Sequence, residues 1–225
     1  MTALEAIDTR IWTAEAPLRF VGLQVGRRMT VVQLASGDLW VHSPAPLDDA
    51  LREGLAALGP VRFVVAASRL HGHLSMGDYA RAYPEAALLA PPGLSERRAD
   101  LTFAGGLADE PDPRWAAELD QAPLRGHRYL TEVLFLHRPS RSLIVGDACW
   151  NSQDGLGLPA RIWAGGRRIG PTAAFRLAVR ERAAARASVE RVLAWDFDRI
   201  VTGHGAIVER GGREAFERAY AWLAR

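Results

Sequence analysis

Lysine is absent: all 28 basic residues of the chain are arginine. No lysine amine can form a Schiff base or serve as a general base. Cysteine is almost absent too. Cys149 stands alone, which excludes an intramolecular disulfide and any zinc site assembled from several cysteines. Long apolar runs are missing, and none approaches the ~20 residues of a membrane-spanning helix. Basic runs, and stripes of basic with aromatic residues, are missing as well, which sets nucleic acid aside as a partner. The opening MTALEAIDTRIW carries two acids and has no apolar h-region, so no secretory signal is expected. A cytoplasmic protein that neither crosses nor binds a membrane is the plain reading.

What is present is the composition of a soluble globular protein: 225 residues, 48% hydrophobic, 24% charged, formal net charge +2. No internal repeat and no clear linker divides the chain, so a single domain over 1–225 is expected. FVGLQVG, RMTVVQL and DLWVHS read as short strands punctuated by glycine, with a turn at Gly37-Asp38. PLDDALREGLAALG has helical apolar spacing, acids in its first turn and a closing Gly59. Pro60 then leads into the strand VRFVVAA, so a strand–helix–strand unit with parallel strands is predicted. MGDYARAYP reads as a short helix and AALLA as a strand, followed by a Pro- and Gly-rich loop to about residue 114. ELDQAPLRG, YLTEVLFLH and SLIVGDA are three consecutive strands. Residues 150–170 form a glycine-rich loop. The stretch from Thr172 to Trp195 is helical, in one piece or two, DRIVTGHG is a last strand and turn, and GREAFERAYAWLAR is a closing helix.

Four polar features stand at strand ends or in the adjoining turns. SRLHGHLSMGDY follows VRFVVAA and places His71 and His73 two apart, on one side of an extended chain. Such a pair can converge on one ion at the ~2.0–2.1 Å of a zinc–nitrogen bond, though alone it fits two loop histidines equally well. His127 sits in a turn before a strand, Asp147 ends SLIVGD, and His204 follows the strand IVTG. Strand ends are where sites form in α/β sheets.

HGH at 71–73, GH at 126–127, GD at 146–147 and GHG at 203–205, in that order, resemble the metallo-β-lactamase superfamily, and with RMTVVQL, LWVHSPAPL, EVLFLHRPSRSLIVGD and LAWDFDRIVTGHG the chain is similar to an uncharacterised branch of it, a domain of unknown function. The likeness extends over nearly the whole chain. It implies an α/β fold, the four-layer αββα sandwich, with the site at one edge. It also implies a metal-dependent hydrolase using a metal-bound water on an ester, thioester, lactone or phosphoester-type small molecule. His71, His73 and His127 match the first metal site, Asp147 the bridging carboxylate and proton acceptor, and His204 a ligand of the second site. Ser75 and Met76 stand where the family has an Asp-His pair. The expected cofactor is therefore one ion at most, zinc, with iron or manganese as other candidates. Replacing both residues by Asp and His is expected to restore a second ion. The departure also opens another reading: a degenerate member that keeps the fold for binding or as a structural partner. Oligomeric state is not legible.

Other features have blander accounts. Asp78 is a helix cap, His42 a packed strand-end histidine, and His137 a structural or exposed one. Cys149 is a core residue more often than the nucleophile of a thiol enzyme. GLGLPA at 155–160 imitates a dinucleotide motif, but Pro159 interrupts it. The aspartates of WDFD at 195–198 suit capping. Trp150, Arg161, Trp163, Arg167 and Arg168 form either a lid over an anionic substrate or a solvated loop, with the loop favoured.

Overall fold

Along the central strands successive side chains enter different cores, as a period of two requires. The structure, a computed structural model, describes residues 3–20, 23–151 and 169–224. In these, β1 (Glu5–Asp8), β2 (Ile11–Ala16), β5 (Arg27–Gln33), β6 (Leu39–His42), β7 (Val61–Val65), β8 (Ala87–Ala90) and β9 (Gly105–Gly106) form one sheet in that order. Its first four strands pair antiparallel, and β6 to β9 pair parallel. A separate short hairpin joins β3 (Arg19–Phe20) to β4 (Leu23–Gln24). The second sheet has the order β10 (Leu119–Leu124), β11 (Glu132–His137), β12 (Ser142–Ile144) and β14 (Arg199–Val201), the last pair parallel. β13 (Trp150–Asn151) pairs with β15 (His204–Gly205).

Helices α1 (Asp49–Leu58) and α2 (Met76–Ala82) cover the first sheet; α3 (Ala173–Ala178), α4 (Arg182–Leu193) and α5 (Gly212–Tyr220) cover the second. Three cores separate the four layers. Met29, Val31, Leu39, Val41 and Val64 meet Leu51 and Leu55 of α1 and Met76 and Tyr79 of α2. Val32, Trp40, Phe63 and Val65 meet Val133, Phe135 and Val201 between the sheets. Leu134, Leu136 and Leu143 meet Phe175, Val189 and Phe216 outside the second sheet. This is the αββα sandwich the sequence implies.

The predicted β6–α1–β7 unit forms with parallel strands. Asp48 caps α1 by accepting the Leu51 amide hydrogen bond, and Gly59 ends it at φ +151°. The run from Thr172 to Trp195 is two helices. FVGLQVG is not one strand: Gly26, at φ +62°, separates Leu23–Gln24 from β5. Within the 150–170 loop, Trp150 belongs to β13, whereas residues 152–168, with the lid residues Arg161, Trp163, Arg167 and Arg168, lie outside the described residues. No helix among the described residues is long and apolar enough to cross a membrane.

Two histidines lie within this frame as packed residues. His42 is stacked on Trp40 at 5.5 Å and meets the edge of Phe135, and burial lowers its pKa to about 3. His137 is buried against the Ser140 hydroxyl at 2.7 Å, and burial lowers its pKa to about 4. Both are neutral when folded. The unfolded chain takes up their protons near the ordinary pKa of about 6.5, whereas the folded chain does so only nearer 3 to 4. Their contribution to stability is thus complete above about pH 6.5 and is lost as pH falls through that window, at most ~1.4 kcal/mol per unit for each group. His42→Phe, which keeps the aromatic stack, is expected to flatten the fall in urea midpoint between pH 7 and 4. An unchanged slope would show that His42 protonation does not limit acid stability.

Candidate metal centre

Three strand ends deliver the candidate residues to one edge of the sandwich. β7 runs out through Ala66 and Ala67 to Ser68 and His71, β12 through Gly146 to Asp147, and β14 through Gly203 to His204. β12 and β14 are parallel neighbours, so their carboxyl ends open at the same level. The turns touch: a Cβ on Gly203 would lie 2.7 Å from the Gly146 carbonyl oxygen. Only glycine permits that approach, which holds Asp147 beside His204.

Asp147 is the hub. One carboxylate oxygen, Oδ1, faces His71 Nδ1 at 2.8 Å and His204 Nε2 at 3.2 Å; Oδ2 accepts the Ser68 hydroxyl hydrogen bond at 2.6 Å. Burial works to raise the Asp147 pKa, but hydrogen bonds from His204 and His71 and their charge hold it well below the ordinary carboxylate range. His71, Asp147 and His204 each offer one donor atom within 4.8 Å of the others, and they are the one group of three or more potential ligands that meets this test among the described residues. Donors on a zinc tetrahedron with bonds near 2.05 Å are about 3.3 Å apart; His204 Nε2 lies at 3.2 Å from Asp147 Oδ1 and His71 Nδ1 somewhat nearer, at 2.8 Å.

The donor chemistry fits a cation as well as the distances do. His204 Nδ1 lies 2.6 Å from the Gly26 carbonyl oxygen, which can only accept, so Nδ1 carries the hydrogen. In the neutral ring, Nε2 is then a lone pair 3.2 Å from an anionic oxygen. Two acceptors at that distance repel unless a proton or a metal ion lies between them. Hydrogen bonds from Ser68 and to Gly26 hold Asp147 and His204 in their orientations, and the Trp150 ring stacks on His204 at 4.0 Å.

His73 and His127 are not brought into this cluster. Arg98 Nη1 stands 3.0 Å from His73 Nδ1, and arginine can only donate. His127 Nδ1 accepts the backbone amides of Tyr129 and Leu130, at 3.1 and 2.8 Å, while its ring packs on Phe175 at 4.6 Å. With Nδ1 accepting, each neutral ring carries its hydrogen on Nε2 and presents no second lone pair. The H-x-H spacing and the turn at 126–127 are visible in sequence; the donors that occupy these nitrogens come from residues 98, 129 and 130. Met76 is buried in the core under α2, and Asp78 pairs with Arg81 at 2.6 Å instead of capping the helix. Cys149 is fully buried among apolar side chains, and burial with the nearby Glu132 raises its pKa, so it stays a thiol and no nucleophile.

Sequence reasoning overlooked Glu132. It opens β11 fully buried, with Oε1 accepting the Gly146 amide at 2.7 Å and Oε2 accepting those of Asp147 and Ala148 at 2.8 Å each. One carboxylate thereby fixes the turn that carries Asp147. Burial and the Asp147 charge raise its pKa to about 8, against the pull of the three amides. The available signal was an acid at the head of the otherwise apolar run EVLFLH.

Residues 8–155 match the family model of the domain of unknown function DUF4336. The chain belongs to the DUF4336 family. No curated protein matches it. This DUF4336 chain has the metallo-β-lactamase fold: over 100% of both chains it superposes on a metallo-β-lactamase from Pontibacter korlensis at TM-score 0.71 and 11% identity. A Pseudomonas aeruginosa metallo-β-lactamase in its mono-zinc form aligns at TM-score 0.66 and 15% identity, over 99% of this chain and 94% of that one. The metal-soaked flavodiiron core of a Synechocystis protein aligns at 0.68 and 14%, over 99% of this chain and 61% of the other. At such identities the likeness concerns the fold alone.

Glu132→Ala would leave three buried amides without acceptors, each costing ~1–3 kcal/mol. A loss of roughly 3 kcal/mol or more in urea unfolding is expected. A variant within ~0.5 kcal/mol of the parent, the range of an ordinary surface substitution, would show that Glu132 does not hold the turn.

Proposed function

We propose that this DUF4336 chain is a metal-dependent hydrolase that holds one zinc ion on His71, Asp147 and His204 and acts on a small molecule with an ester, thioester, lactone or phosphoester-type bond. One observation carries the reading: His204 Nε2, the nitrogen that its tether to Gly26 leaves available, faces the buried Asp147 carboxylate at 3.2 Å, a geometry that a proton or a metal ion between them satisfies. Two histidines and one carboxylate are a full protein ligand set for catalytic zinc, which keeps its fourth position for water or substrate. A bound zinc ion would polarise the substrate's carbonyl or phosphoryl oxygen and activate a water molecule. The chain's own residues do the rest. Asp147, held ionised, supplies the negative charge and accepts a hydrogen bond from the attacking water. Ser68 and Gly26 fix the orientations of Asp147 and His204. The cavity bounded by His71, Asp147 and His204 holds about 20 Å³, room for a single ion or water. The reacting part of the substrate therefore lies across its mouth. The buried, unpaired Cys149 suits a reducing cytoplasmic setting.

The second reading, a degenerate member that binds without catalysis, draws on Ser75 and Met76. Metal analysis separates the two. Protein purified without a metal-binding tag and dialysed against zinc is expected to retain one ion per chain. Asp147→Asn and His204→Ala should lose it while staying folded, whereas His73→Ala, His127→Ala and His137→Ala should keep it. Two tightly held ions would refute the ligand set. No ion under any condition, in a fully folded protein, would establish the degenerate reading.

A further inference from the structure

Arg27 and Arg28 open β5 side by side, and both line the small cavity with His71, Asp147 and His204. Their surroundings differ. Arg28 is buried and both of its terminal nitrogens are engaged: they pair with Glu15 and donate to the carbonyl and hydroxyl oxygens of Thr202, while its Nε, like that of Arg27, meets no acceptor among the described residues. Arg27 is half-buried and donates Nη2 to the Ser75 hydroxyl at 2.9 Å, and no carboxylate pairs with it among the described residues. Its Nε is buried with no acceptor. Asp78, an acid whose charge acts on Arg27, accepts at Oδ1 from Arg81. Burial works against the Arg27 charge and lowers its pKa, and the opposing influence of Tyr79 and Asp78 offsets this only in part. An arginine so placed is a donor fork awaiting an acceptor.

The charge balance points the same way. Arg28 and Glu15 cancel. Asp147 contributes one negative charge, and a divalent ion on it would leave the pocket with a net positive charge, to which Arg27 adds another. A cleft of that sign selects an anion.

We propose that Arg27 is a substrate-binding residue, whose guanidinium takes the oxyanion group (carboxylate or phosphate) of a substrate whose scissile bond lies at the His71–Asp147–His204 cluster. The assignment of that bond rests on the hydrolase reading; the anion site does not. Ser75 has a part in this arrangement. Its hydroxyl orients the guanidinium as a neutral acceptor and leaves the charge intact. An aspartate at position 75 would form an ion pair with Arg27 and cancel it, and a histidine at 76 would enter the apolar core under α2. The exchange expected from sequence to recruit a second ion instead abolishes an anion site.

Calorimetric titration with inorganic phosphate and with acetate tests this, on zinc-loaded and chelator-stripped protein in parallel. Arg27→Gln is expected to weaken anion binding about tenfold or more, the loss of one charged hydrogen bond, with zinc affinity unchanged. Arg27→Lys, which keeps the charge and loses the fork, should fall between. Ser75→Asp should weaken the anion as much as Arg27→Gln and leave zinc stoichiometry as it was. Arg62→Gln, on an exposed residue of the sheet, should change nothing. Tighter phosphate than acetate assigns a phosphoryl substrate, and the reverse a carboxylate. Equal anion affinity in the parent and Arg27→Gln overturns the proposal, as does a second zinc ion bound by Ser75→Asp. Should Arg27→Gln unfold, the Ser75→Asp and Arg27→Lys titrations decide it. If no zinc binds at all, the hydrolase reading fails, and the same comparison on metal-free protein still decides for or against Arg27.

Discussion

A carboxylate removed from water must be compensated, and the site edge of this protein is organised around that requirement at Asp147. Its two oxygens are divided between two imidazoles and a serine hydroxyl. The turn that bears it hangs from Glu132 by three amides. The tether of His204 to the Gly26 carbonyl and the contact of the Gly146 and Gly203 turns both serve this arrangement, and a cation suits the space beside it. Two buried carboxylates so close together would repel. The amides around one and the histidines around the other are what make the arrangement stable.

The sandwich makes that convergence possible. His71 comes from the first sheet, Asp147 and His204 from the second, and the core between the sheets fixes the separation of the strand ends. Trp40, Phe63, Phe135 and Val201 are large and fully or almost fully buried there. Such interiors transmit small displacements because they are packed close to crystal density. The positions of the donor atoms are thus consequences of core packing as much as of the loops that carry them.

The fold of the DUF4336 chain leaves the charge arrangement of its site edge to particular side chains. The scaffold it shares with metallo-β-lactamases and with a flavodiiron core does not dictate chemistry. What this chain places near its site is local. Arg27 donates to a serine, and Met76 is spent on the core under α2. A guanidinium is a fixed cation with directional donors, whereas a metal ion must be captured and can be lost. Exchanging one for the other changes which substrates a cleft attracts.

Much of this was legible in the chain. Short Val- and Leu-rich runs such as RMTVVQL and EVLFLH marked strands, and the acids and closing glycine of PLDDALREGLAALG marked a helix, because those signals depend on neighbours a few residues away. The order of HGH, GH, GD and GHG indicated which strand ends carry polar residues. Which of those residues act together was decided only by tertiary structure. Which nitrogen a histidine has left for a ligand depends on what the other one meets: for His204 and His73 those partners, Gly26 and Arg98, lie far along the chain, and for His127 they are two backbone amides of its own turn, set by how that turn folds back. Glu132 is 15 residues from Asp147, and Arg27 is 48 from Ser75. Hydrogen bonds are directional and short-ranged, so a pattern of residue types can bring the right groups to one edge of the fold, but only the packed chain settles which lone pair faces which proton.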